Sequence, residues 1–65
     1  MLKLYLFNFL DKKTGESCFN VDIIATNKTE ALKKAKNKAI RLLQTVGSSV
    51  NLDFYIIKLK TTQNI

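Results

Sequence analysis

The residues of this chain best suited to chemistry are cations. From residue 28 to residue 41, Lys28, Lys33, Lys34, Lys36, Lys38 and Arg41 face a single acid, Glu30. Ordinary surface helices mix signs, and like charges four apart, such as Lys34 and Lys38, repel mildly. The excess suggests a phosphate-facing surface, with Lys33, Lys34, Lys38 and Arg41 as the contacts. Lysine in place of arginine points to backbone contact without base reading, because arginine supplies the bidentate fork that recognises guanine. A plainer explanation competes. Ten of the eleven basic residues are Lys, and Asn and Ile are also common, as in AT-rich coding sequences, so the charge of +6 could reflect composition alone.

Other chemistries are poorly served. The chain has no histidine, so the commonest general base is absent. With a single cysteine and no histidine it can form neither an internal disulfide nor a zinc site of ordinary ligand type. Cys18 lies in a strand-like run and is expected to be a buried or half-buried structural thiol. Asp11, Glu16, Asp22, Glu30 and Asp53 do not form a paired-carboxylate motif by spacing. Gly15 and Gly47 read as turn glycines, with no phosphate-binding loop around them. Asn27-Lys28-Thr29 matches a glycosylation site but opens a helix in a chain without a secretion signal. The expectation is therefore a non-catalytic protein with no metal, no cofactor and no small-molecule substrate.

Sixty-five residues make one small domain, expected over 1–60, with 61–65 as a frayed tail. A chain of this size buries only about 60% of the surface its unfolded state exposes. With the usual staples missing, a homodimer is the expected source of extra stability. The N-terminal apolar run is short, is broken by Asn8 and lacks a cleavage site. No stretch approaches a membrane span of ~18 apolar residues, so a cytoplasmic location is expected.

The elements that must position these residues follow from pattern. Residues 2–10 are β-prone and apolar on both faces, as suits a central strand. Residues 11–16 form a polar turn around Gly15. Residues 17–25 alternate, with Phe19, Val21, Ile23 and Ala25 on one side. Asn27 with Glu30 marks a helix start. Leu32, Ala35, Ala39, Leu42, Leu43 and Val46 form its apolar stripe, ahead of a stop at Gly47-Ser48-Ser49. Residues 50–60 complete the order β-β-α-β. The fold class is α+β: a three-stranded, mostly antiparallel sheet of order 2-1-3, with one helix packed on one face through a right-handed crossover.

Parity then decides the faces. A hairpin loop of two or four residues pairs even positions of the first strand with odd positions of the second. Leu2, Leu4 and Leu6 would join Phe19, Val21 and Ile23 beneath the helix. Tyr5, Phe7 and Phe9 would lie on the uncovered face. In the last strand Tyr55, Ile57 and Leu59 are expected inward, and Leu52, Phe54, Ile56, Lys58 and Lys60 outward. An interaction face of Tyr5, Phe7, Phe9, Phe54, Ile56 and Lys58 results, larger than a small monomer normally exposes. It could form the homodimer, stack single-stranded bases or dock a protein.

Two functions follow. The leading one is a small basic binding protein that acts on nucleic acid or a nucleic-acid-handling complex. The other is an inhibitor or adaptor, of the phage or mobile-element kind, that grips a host protein by its sheet edge or aromatic face.

Overall fold

The computed structural model describes residues 1–47 and 51–65. Strands β1 (Lys3–Asp11) and β2 (Ser17–Ala25) are followed by helix α1 (Lys28–Thr45), a 3-10 turn (Leu52–Phe54) and strand β3 (Tyr55–Asn64). The sheet has the order β2-β1-β3, and both neighbours run antiparallel to β1. The ββαβ arrangement and the central place of the most apolar strand are as the sequence leads one to expect.

The hairpin begins as expected. Asp11 N–H donates to the Glu16 carbonyl at 2.8 Å, closing a four-residue loop that Gly15 completes at φ 76°. The Asp11 carboxylate stiffens the loop by accepting from the N–H groups of Lys13 and Thr14. At the mouth of the hairpin Leu10 pairs with Ser17, an even–odd match. One step further Phe9 pairs with Phe19, because a β-bulge between Phe9 and Leu10 leaves Cys18 as an extra residue on β2.

That single residue turns over the rest of the hairpin. Phe7 now stands opposite Val21 and Tyr5 opposite Ile23. The expected inner face is thereby corrected: Tyr5, Phe7 and Phe9 are buried beneath the helix, and Leu4 and Leu6 lie on the other side, half-buried. The physical reason is area. Aromatic side chains bury roughly 150–250 Å² each, more than leucines, so the bulged register removes more apolar surface from water. Left outward, the rings would have stood beside Asp22, Asn20 and Cys18. Inside, Phe9 stacks on Phe19 with centroids 4.7 Å apart, and Tyr55 meets Phe19 edge-on at 5.6 Å.

Helix α1 starts at Asn27, whose side chain accepts from Glu30 N–H at 2.9 Å. Glu30 reaches back one residue further than in a standard capping box, accepting from the hydroxyl and N–H of Thr26. Gly47 closes the helix at φ 74°, its N–H donating to the Gln44 carbonyl. Ser48, Ser49 and Val50 lie outside the described residues.

The buried stripe is Ala31, Ala35, Ala39 and Leu43, an unbroken i,i+4 row. Leu42 and Val46, expected inside, are 43% and 72% exposed. Three alanines let the helix backbone lie close on the aromatic layer, leaving no room beneath it for a row of larger side chains.

The last strand also departs from expectation. Residues 52–54 form the 3-10 turn, and β3 extends to Asn64, so residues 61–64 are strand and not tail. A second bulge interrupts this strand. Leu59 pairs with Phe7 and Thr61 with Leu6, leaving Lys60 as the extra residue. Tyr55, Ile57 and Leu59 pack against the core as expected, joined by Leu52, which was expected outside.

The register has a direct energetic consequence. Phe7→Ala should lower the stability to urea by about 3–5 kcal/mol, whereas Leu6→Ala, on the outer face, should cost about 1 kcal/mol.

Candidate functional site

The functional surfaces follow from where one helix sits on three strands. Helix α1 packs on β2, touches β1 at few points and has hardly any contact with β3. The two edges of the sheet therefore have different fates.

The β2 edge is dressed by the helix. Lys34 Nζ donates to the Ile24 carbonyl at 3.3 Å and pairs with Glu30 at 3.0 Å. One turn later Lys38 Nζ donates to the Asp22 carbonyl at 3.2 Å and lies 3.7 Å from its carboxylate. These pairs are about half exposed and worth little as ion pairs. Their effect is to lay charged stems across an edge strand, a standard obstacle to strand-on-strand pairing.

Among the described residues no side chain is bonded across the β3 edge in this way. Beside it, Leu32 and Lys36 of α1 face Leu52, Asp53, Tyr55 and Ile57 across a groove of about 410 Å³, with Lys12 at its end. The floor is apolar because Leu32, Leu52, Tyr55 and Ile57 are only partly buried. The rim carries Lys12 and Lys36, both exposed, and one acid, Asp53. A smaller and more enclosed hollow of about 350 Å³ lies at the hairpin end, lined by Asp11, Lys12, Lys13, Cys18, Phe54 and Tyr55.

The outer sheet face differs from the aromatic platform the sequence suggests. Register sets Ile24 beside Leu4 and Gln63, and Asp22 beside Leu6 and Thr61. Asn20, Asn8 and Lys58 then cross the sheet as a polar belt before Leu10 and Ile56. Ser17 Oγ donates to Asn8 Oδ1 at 2.8 Å. The face is thus a half-solvated sheet with leucines along its middle strand.

Of the residues expected to form an interaction face, Tyr5, Phe7 and Phe9 are core, and no base can stack on them. Phe54, Ile56 and Lys58 are exposed. Of the four expected phosphate contacts, Lys34 and Lys38 are turned onto the β2 edge, while Lys33 and Arg41 have no ion pair among the described residues. Cys18, expected to be at least half-buried, is exposed at the bulge. Among the described residues no cluster of three or more His, Cys, Asp or Glu could hold a metal ion, and no helix is long and apolar enough to cross a membrane.

The sequence reading missed the groove residues Lys12, Leu32, Lys36 and Leu52. The unbroken Ala31-Ala35-Ala39-Leu43 row could have flagged Leu32 and Lys36, since it sets both to one side of the buried stripe.

Compared with family models, curated proteins and solved structures, the chain matches none of them.

Glu30 anchors the dressed edge and is the group whose titration reports on it. The Thr26 hydroxyl first, and then Lys34, hold its carboxyl well below the ordinary value, at about 2. A carboxyl depressed in the folded state stabilises the fold above its unfolded value, near 4.3, and loses that contribution as the pH falls towards 2. Glu30→Gln should remove this part of the acid sensitivity between those limits, as read by thermal melts at successive pH values. Lys34→Ser with Lys38→Ser should uncover the β2 edge and raise concentration-dependent association in light scattering.

Proposed function

We propose that this is a non-catalytic binding module that grips a partner protein by the free edge of β3, as an adaptor or inhibitor does. The observation that carries this reading is the asymmetry of the sheet. One edge is crossed by Lys34 and Lys38, and the other is left open by the described residues beside an apolar groove. An extended segment added to β3 would satisfy the outward N–H and C=O groups of a strand of 10 residues. Alternate side chains of that segment would enter the groove, so affinity comes from backbone pairing and specificity from the groove.

Nucleic-acid binding is the second reading, and a separate observation favours it. Lys33 and Arg41 stand eight residues apart on the solvent side of α1, about 12 Å along its axis, with Asn37 midway. Phosphate contact through this face needs neither the sheet nor its edges. It would be sequence-tolerant and strongly weakened by salt.

A photo-crosslinking residue distinguishes the two in cells. Installed in place of Lys58, it should give protein adducts that survive nuclease treatment. Installed in place of Arg41, it should give none. Adducts confined to position 41 and removed by nuclease would overturn the edge reading in favour of nucleic acid.

A further inference from the structure

Resting on the edge reading, we infer that the occupant of β3 is an extended acidic segment in which apolar residues alternate with Asp or Glu, and not a second copy of this chain. The pattern comes from the two sides of the strand. On the helix side, every second residue of an added strand meets the groove floor of Leu32, Leu52, Tyr55 and Ile57, which favours apolar side chains. On the outer side, the intervening residues stand beside Ile56, Lys58 and Thr61, with Lys60 at the bulge between them.

Charge selects the sign. Lys12, Lys36, Lys58 and Lys60 are exposed around this edge, and none has an ion pair among the described residues. Asp53 is the single acid in the groove. Elsewhere Asp11 is committed to its own turn, Glu30 to Thr26 and Lys34, and Asp22 to Lys38, while Glu16 is exposed in the hairpin loop. An incoming carboxylate opposite Lys58 gains a favourable cross-strand pair, and a lysine there is repelled.

The same arithmetic disfavours self-pairing. Two β3 strands joined antiparallel about a two-fold axis near Leu59 would set Lys58 of each against Lys60 of the other, between chains that each carry +6. Like charges directly opposite are destabilising, so this edge in that register repels its own copy.

The test uses the full chain and three capped ten-residue peptides: valine alternating with glutamate, with threonine and with lysine. Amide hydrogen exchange and chemical shifts locate each peptide, and titration gives its affinity. The valine–glutamate peptide should protect alternate amides of β3 and bind at least tenfold tighter than the valine–threonine peptide. The valine–lysine peptide should not bind. In the Lys58→Glu, Lys60→Glu variant, whose fold is checked by circular dichroism, the preference should reverse to the valine–lysine peptide.

Equal binding of the glutamate and threonine peptides at β3 would overturn the acidic preference while leaving the edge reading standing. Protection at β2, at Lys33 and Arg41, or nowhere would overturn both. Light scattering on the free chain supplies the remaining control: a dimer whose β3 amides are protected would overturn the exclusion of a second copy.

Discussion

Everything else in this fold depends on one extra residue in β2. With Cys18 bulged out of the ladder, β1 and β2 meet odd to odd, and Tyr5, Phe7 and Phe9 come to lie on the same side as Phe19, Val21 and Ile23. This gathers the aromatic area of the hairpin into one layer. A chain of 65 residues with one cysteine and no histidine has few other sources of stability, and cannot leave three rings in water. The bulge interrupts the backbone ladder locally and in return gives the protein its core.

The helix follows from that layer. Only small side chains fit between its backbone and the aromatic rings, and Ala31, Ala35 and Ala39 supply them at every turn. Close approach fixes α1 over β2 and fixes Lys34 and Lys38 along the β2 edge. One helix is too narrow to cover three strands. The uncovered remainder falls at β3, where Tyr55, Ile57 and Leu59 complete the core from the side and stay partly open. The groove and the free edge are thus what is left when a single alanine-faced helix is centred on the hairpin's far strand.

Much of this was legible in the chain. The element order, the strand order and the closing pair of the hairpin follow from local pattern and from the apolar character of residues 2–10. The inward set Tyr55, Ile57 and Leu59 follows from period-two alternation. The faces of the hairpin did not, because parity arguments assume an unbroken ladder and a bulge carries no sure local signature. The bulge at Cys18 accounts for the inverted aromatic face, and β3 continues past a second bulge at Lys60 to Asn64 because residues 61–64 find partners along β1. The expected outward place of Tyr5, Phe7 and Phe9 fails for the same reason as the inversion. These three are core residues while Phe54 is exposed, and the residues bordering the groove are spread over the hairpin loop, the helix, the 3-10 turn and β3, with no shared motif to draw them together.

The central claim is the register of the hairpin, since the core, the helix seat and the open edge all rest on it. Nuclear Overhauser contacts between backbone protons across β1 and β2 read that register directly. The bulged register requires contacts that pair Phe7 with Val21 and Tyr5 with Ile23, together with ring contacts from Phe7 to the alanines of α1. Contacts that pair Leu6 with Val21 and Leu4 with Ile23, with the rings of Tyr5 and Phe7 in solvent, would contradict it.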